Sequence, residues 1–463
     1  MNCLLFRVDA NPQIGWGHLM RCLAVADAWR DLGGRAVFAM RDSGDNGLPL
    51  ARVRARGQRL FRVPPGLSTR DERERIRLLA AAVAAEWVVL DGYHFATSYQ
   101  TALRDAGLGL AVFDDAGHLS AYDCDVLING SPLAGEIHYQ TTPATRQWLG
   151  LSYLPLRTEV RCCRRAPVPA AAGAVRRIVV TLGGGEAVAL AQKILAGLRQ
   201  LPPMLAEFQF LVGSAPATAR SLADALRRAP DRRVHLVRTT EDLPARLAEA
   251  DLAISAAGGT LWELAYLGVP TLALVRADNQ RATARFLAEQ GVVRPLGDAE
   301  QAAPETIAAE IRLLVDDPAA RRAMALAGRT LLDGRGAARI ARALQQIQMR
   351  LRPAGTEDRE LIFRWANEPA ARAQSFQPQA IAWDTHCEWF AAQLDDANTL
   401  LLVAHSTAGE PVGQVRFARR DDRALASISV ARSFRGQGIG TRLLRHAAGR
   451  AFAAWPSIAW LEA

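Results

Sequence analysis

Lysine is almost missing from this sequence. Lys193 is the only one, so nearly all of the 56 basic residues are arginine. Lys193 sits in an apparent helix, Ala187 to Leu198, and no G-x-x-x-x-G-K-[ST] stretch precedes it. A Walker-type NTPase is therefore excluded, and pyridoxal-phosphate chemistry on a lysine is not expected. Cysteine is scarce as well. Six in 463 residues, with no C-x-x-C pair, make neither a disulfide framework nor a zinc site. Long apolar runs are lacking: Leu78 to Leu90 carries Glu86 and is shorter than the ~18 residues of a membrane span. Leu4-Leu5-Phe6 is followed at once by Arg7 and Asp9, which reads as a strand and not as a signal peptide. A cytoplasmic protein is expected.

What is present points to large folded cores. Half of the residues are hydrophobic and 22% are charged, and the length corresponds to about three domains. The net charge of +9 would normally raise nucleic acid as a partner. Here the arginines are scattered along helices without interleaved aromatics, so they read as solvated faces. A diffuse attraction for anionic small molecules comes second.

Residues 1–160 alternate short apolar runs with amphipathic stretches. Leu4 to Asp9, Arg35 to Ala39, Trp87 to Leu90, Leu110 to Phe113 and Val126 to Ile128 read as strands. Leu19 to Leu32 and Thr69 to Ala85 read as helices. Such alternation marks a parallel sheet covered on both faces. Residues 161–177, rich in proline, alanine and arginine, read as a linker. A second α/β lobe over 178–349 runs through Ile178 to Leu182, Phe208 to Val212, Val234 to Val237, Leu252 to Ser255 and Thr271 to Val275. Helical patterns from Pro304 to Met349 close it. Residues 350–463 change character to a smaller α+β segment.

Ligands of open parallel sheets sit outside the carboxyl ends of the strands, and the informative residues fall there. Gly15 and Gly17 let the backbone approach a ligand, and His18 would stand at a helix N-terminus as a general base. The bland alternative is a glycine turn whose histidine satisfies the helix end. Gly258-Gly259 before a helix would form an anion site for a diphosphate, with Glu263 accepting from the two ribose hydroxyls. Thr260-x-x-Glu263 is also a capping box, though that alone does not explain the two glycines. Gly183-Gly184-Gly185 would add donors from the facing turn, or simply make a tight strand-to-helix turn.

These residues follow one another in an order that carries a resemblance. Arg7-Val8-Asp9, Ile14-Gly15-x-Gly17-His18-x-x-Arg21-Cys22-Leu23 and Leu90-Asp91-x-Tyr93 open the series. Asp114-Asp115, Leu149-Gly150-x-x-Tyr153-x-x-Leu156-Arg157 and Leu182-Gly183-Gly184 follow. Ala257-Gly258-Gly259-Thr260-x-Trp262-Glu263 and Asp278-Asn279-Gln280 complete it. As a set, over residues 1–349, this resembles the UDP-sugar hydrolases of pseudaminic-acid synthesis, relatives of the GT-B glycosyltransferases. The resemblance implies a pair of Rossmann-like lobes that cleave a UDP-linked 2,4-diacetamido-2,4,6-trideoxy sugar to free sugar and UDP. It implies His18 as base, Tyr93 and Asn279 in the sugar pocket, and Gly259, Thr260 and Glu263 on UDP. Gly15, Gly17, Arg21, Asp91, Gly183, Gly184, Gly258 and Gln280 complete the expected substrate set, and no metal is called for. A glycosyltransferase with a second acceptor, or a non-catalytic nucleotide-sugar binder, are the alternatives.

A third motif runs from Val430 through Arg435-Gly436-Gln437-Gly438-Ile439-Gly440-Thr441, between a strand and a helix over Arg442 to Phe452. Backbone N–H groups from Gln437 to Thr441 would cradle a pyrophosphate. This resembles the acetyl-CoA motif of the GNAT acetyltransferases, and Arg364-Trp365-Ala366-Asn367-Glu368-Pro369 and Trp383-x-x-His386-x-x-Trp389-Phe390 fit that fold's opening. The resemblance implies acetyl-CoA as cofactor and a sugar amine as acceptor. In that fold the tyrosine acid for the leaving thiolate follows the strand expected here at Ile458 to Leu461. Weak acetyl-CoA binding and no acetyl transfer are therefore expected of these 463 residues. The partners expected are a UDP-sugar and acetyl-CoA, with no nucleic acid and no membrane span.

Overall fold

The computed structural model describes residues 2–11, 15–41, 47–164, 173–183, 185–203, 205–212, 215–238, 242–347, 349–373, 375, 377–406, 409–435 and 439–462. Three sheets organise them. The first has seven parallel strands: β1 Cys3–Val8, β2 Arg35–Arg41, β3 Arg59–Val63, β4 Ala85–Asp91, β5 Gly109–Phe113, β6 Val126–Asn129 and β7 Arg146–Leu149. Their spatial order is β3-β2-β1-β4-β5-β6-β7, so the order reverses between β1 and β4. Strands β1, β4 and β6 are buried along almost their whole length, as apolar runs sandwiched between helix layers must be.

The second sheet repeats the plan. Its strands are β8 Arg177–Thr181, β9 Glu207–Leu211, β10 Val234–Val237, β11 Leu252–Ala256, β12 Thr271–Val275 and β13 Val293–Asp298. They run in the order β10-β9-β8-β11-β12-β13, with the reversal between β8 and β11. Strands β3, β7 and β13 are additions to the sequence reading, and all three are sheet edges. An edge strand is covered on one side only and keeps charged residues, so it lacks the continuous apolar run that marks its neighbours.

The chain crosses between the lobes twice. The segment after β7 is fastened to the first lobe by Thr158 Oγ1, which donates to Asp27 at 3.2 Å, and by Arg56 with Glu159. It is fastened to the second by Arg164, which donates to the Arg329 carbonyl at 2.8 Å and lies 4.4 Å over the Tyr266 ring. The helix Gly336–Gln346 then returns and buries Ala337, Ile340, Ala341 and Leu344 in the core of the first lobe.

The third sheet is mixed: β14 Met349–Pro353, β15 Thr399–Ser406, β16 Pro411–Arg420 and β17 Arg423–Val430 are antiparallel, and β18 Trp460–Glu462 is parallel to β17. The helix Ile439–Ala454 covers it with Ile439, Leu443, Ala447 and Ala451. Its opposite face meets the first lobe, where the Arg442 guanidinium lies 4.9 Å over the buried Trp87 ring. Burial at this joint pushes the His446 imidazole down to about 4 and the Arg442 guanidinium down to about 10. Among the described residues, no helix is long and apolar enough to cross a membrane.

Two glycines test the packing. A Cβ at Gly336 would fall 2.1 Å from the Leu154 carbonyl oxygen, and backbone cannot swing away as a side chain can. Gly336→Ala is expected to cost ~1–3 kcal/mol. Gly449, inside the helix Ile439–Ala454, meets nothing within 4 Å. Gly449→Ala is therefore expected to be neutral or to stabilise by up to ~1 kcal/mol through helix propensity. Urea unfolding of the two variants beside the parent reads both signs.

Candidate functional site

The first lobe gathers its ionisable side chains at the carboxyl ends of β1, β4 and β5, around the strand-order reversal. Asp91 ends β4 and is fully buried. His18, in the first turn of the helix Gly17–Asp31, places Nδ1 2.5 Å from Asp91 Oδ1. Arg21, one turn on, donates from Nε to Asp91 Oδ2 and from Nη2 to Oδ1, both at 2.6 Å. Cys22 Sγ adds a contact at 3.4 Å. Burial alone would raise the Asp91 carboxyl, but Arg21 and then His18 outweigh it and hold it below the ordinary carboxylate range. An ionised carboxylate only accepts, so the Nδ1 that faces it donates, and in the neutral imidazole Nε2 is the nitrogen with the lone pair.

Arg21 also reaches Asp115 at 2.6 Å, and Asp115 accepts from the Tyr93 hydroxyl at 3.3 Å. Tyr93 is half exposed, with its ring edge-on to His18 at 5.2 Å. Burial and the Asp115 carboxylate raise its phenol, so it stays a donor. Behind this layer Arg7 is fully buried and forks onto Asp9 at 2.7 and 2.9 Å, with Nε on Glu72 at 2.9 Å. Gly15, at φ +83°, closes the turn before the helix through its N–H on the Asn11 carbonyl at 2.7 Å. Gly17 begins the helix itself.

In the second lobe the turns after β8, β11 and β12 converge. Gly183, at φ +86°, leads off β8, and Gly184 lies outside the described residues. Arg276, one residue past β12, donates to the carbonyls of Leu182 and Glu186. It thereby straps the β8 turn to the β12 turn. The Arg276 N–H donates to Gln280 Oε1 at 3.0 Å, and the Gln280 amide nitrogen is 3.9 Å from the Cβ position of Gly258. Asn279 is exposed in the turn Asp278–Gln280. Glu186 caps the helix Pro216–Arg228 by accepting from Ala217 and Thr218.

Gly259 is the N-cap of the helix Thr260–Leu267, with no side-chain cap. The Thr260–Glu263 capping box is thus not formed. The N–H groups of Gly259 and Thr260 precede the first intrahelical bonds, which start from Leu261 and Trp262. Both Glu263 oxygens face Arg157, which forks onto them from the crossing segment, and both residues are buried. One lone pair on each oxygen stays available beyond that fork. Arg157 stands in the motif series with no role of its own, and Arg276 lies outside that series. A pairing 106 residues apart leaves no local signal, whereas an arginine one residue past an apolar strand is a readable one.

At the third sheet Gly436, Gln437 and Gly438 lie outside the described residues. Arg435 Nε donates to the Val430 carbonyl at 2.7 Å and its Nη2 pairs with Glu368. Ile439, Gly440 and Thr441 form the first turn of the helix Ile439–Ala454. A Cβ on Gly440 would sit 3.5 Å from Val430. Strand β18 pairs in parallel with β17 over Arg423–Leu425. Among the described residues, no group of three His, Cys, Asp or Glu is placed to hold a metal ion.

Comparison with known proteins divides the chain in the same way. Residues 177–339 match the profile of the glycosyltransferase family 28 C-terminal domain, and residues 360–462 match that of the acetyltransferase (GNAT) family. The chain thus joins a GT-B glycosyltransferase-like region to a GNAT acetyltransferase domain. The spore coat polysaccharide biosynthesis protein SpsG of Bacillus subtilis (strain 168) is 28% identical over 241 residues, 51% of this chain and 69% of its own. Among solved structures, Acinetobacter baumannii MurG aligns with a TM-score of 0.52 at 18% identity, covering 74% of this chain and 99% of that one. The S. aureus MnaA–UDP complex aligns at 0.51 and 12% identity, covering 74% and 96%. At these identities the two structures establish the fold.

The buried ion cluster makes stability depend on pH with a definite sign. The folded Asp91 value lies below the unfolded ~3.9, so its contribution is complete above that pH and is lost as pH falls toward the folded value. Asp91→Asn leaves Arg21 with only the partly exposed Asp115 as counter-charge and is expected to cost ~3 kcal/mol at pH 7. The gap between parent and variant should narrow below pH ~4, which paired urea titrations at pH 7 and pH 3 measure.

Proposed function

We propose that the two larger lobes bind a UDP-sugar and hydrolyse it to free sugar and UDP, and that the third domain is a sugar-amine N-acetyltransferase-like module that binds acetyl-CoA. The substrate class favoured is a UDP-linked 2,4-diacetamido-2,4,6-trideoxy sugar, on the ordered series of motifs above. The observation that carries the reading is the Asp91–His18 pair at the strand-order reversal, which engages Nδ1 and leaves Nε2, in the neutral imidazole, to act as the base.

The chemistry balances without a metal. Nε2 of His18 takes a proton from water as the oxygen forms its bond to the anomeric carbon. The anomeric C–O bond to the diphosphate breaks, and UDP leaves with the electron pair. Arg21 and Asp91 keep the imidazole in one tautomer and one orientation through the step. The glycine turn at Gly258-Gly259 and the helix N-terminus at Thr260 supply N–H donors for the diphosphate, and the outer lone pairs of Glu263 accept from the ribose. Arg157 holds Glu263 in register for that contact.

The family 28 match favours a second reading, in which an acceptor hydroxyl takes the place of water. UDP release from UDP-sugars with no acceptor added separates the two. His18→Gln should lower kcat by ~10²–10⁴ with the UDP dissociation constant unchanged. Hydrolysis within a few-fold of the parent removes the base from His18. Glu263→Ala should weaken UDP by ~1.5–3 kcal/mol in calorimetric titration, and unchanged affinity confines Glu263 to its pairing with Arg157.

A further inference from the structure

A second imidazole lies across Tyr93 from the first. The turn after β5 splits its two neighbouring carboxylates between them: Asp115 bonds Arg21 and Tyr93, and Asp114 bonds His118. His118 Nδ1 is 2.6 Å from Asp114 Oδ1, and its ring stands edge-on to Tyr93 at 5.2 Å, the same separation that Tyr93 keeps from His18. Asp114 is buried and collects four more donors, the Tyr122 and Tyr139 hydroxyls and the N–H groups of Ala116 and Gly117. Burial would raise its carboxyl, but the Gly117 N–H and the side-chain donors outweigh that and lower it. An ionised Asp114 only accepts, so the Nδ1 of His118 that faces it donates, and in the neutral imidazole Nε2 is the acceptor. A side chain needed only to cap the turn would end at Nδ1. This one extends to a partly exposed edge beside Tyr93, with its side chain 24% exposed.

We propose that His118 is a second substrate-facing imidazole, whose Nε2 accepts from an N–H or O–H donor on the sugar of the bound nucleotide sugar. The contact lies on the side of Tyr93 away from His18, and so concerns a ring substituent and not the anomeric carbon. The proposal rests on the UDP-sugar reading of the cleft. His118 takes no proton in the reaction; it selects a donor-bearing substituent and fixes the sugar's orientation for His18.

His118→Asn is the informative variant, because an amide at the Nδ1 position keeps the bond to Asp114 and deletes Nε2. The full chain is assayed for UDP release with UDP-N-acetylglucosamine, UDP-glucose and diacetamido-trideoxy UDP-sugars. The expected result is a KM raised tenfold or more on the preferred sugar, kcat within about threefold, and an unchanged UDP dissociation constant. His118→Gln, which returns an acceptor near Nε2, should recover part of the KM. An unchanged KM in His118→Asn overturns the proposal, as does a loss of UDP affinity or kcat with no change in KM. If the parent hydrolyses none of these, the hydrolase reading falls by itself. The ¹⁵N resonance of His118 Nε2 then decides. A shift with UDP-N-acetylglucosamine beyond that with UDP supports the contact, and no such shift overturns it.

Discussion

A carboxylate with no exposure to solvent has to be surrounded by donors, and Asp91 meets that demand with His18, Arg21 and Cys22. Those three residues all come from the first two turns of one helix, so the demand fixes how that helix enters the sheet. It also fixes where β4 lies, because Asp91 ends the strand that pairs with β1 across the order reversal. A crevice exists at that point because the chain leaves neighbouring strands toward opposite faces. The ion cluster is thus a folding constraint and, in our reading, the device that orients the base. Removing one partner leaves the others charged in a dry place, which costs more than the pair contributes when intact.

The two lobes use one plan for different ends. Each has its strand-order reversal beside its first strand, and each places its informative turns there. In the first lobe the turns carry histidines, carboxylates and a tyrosine. In the second they carry glycines, an arginine strap and backbone donors. Arg157 belongs to neither sheet, yet its fork on Glu263 ties the crossing segment to the helix whose N-terminus faces the diphosphate in our reading. The returning helix Gly336–Gln346, packed into the first lobe, is the other tie.

Much of this was legible in the sequence, for a physical reason. Interior parallel strands must be apolar throughout, so β1, β4, β5, β8, β11 and β12 stand out as short runs between amphipathic stretches. β3 and β13, half covered, alternate arginine, glycine or proline with their apolar residues and do not stand out. The same contrast holds at the site. His18, Asp91, Gly183 and Gly258 sit immediately past readable strands and can be placed. The pairs that give them their chemistry, such as Arg157 with Glu263, join residues far apart in the chain, and no local pattern encodes them. The turn Asp115-Ala116-Gly117-His118 follows a readable strand, but only folding shows that Asp114 and Asp115 point to different partners and so gives His118 a place.

The joint between the helix Ile439–Ala454 and the first lobe bears on modularity. Fused domains are commonly treated as beads that can be exchanged at a linker. Here the helix Ile439–Ala454 has its back against Trp87, and Gly107 approaches the Arg445 carbonyl so closely that a Cβ would be 3.2 Å from it. Trp87 belongs to β4, the strand that ends in Asp91. Excising the smaller domain would strip a cation from that ring and wet a surface at the opposite end of the strand that orients His18. The smaller domain and the first lobe meet at one strand, and a graft or truncation at residue 350 would remove part of that strand's packing.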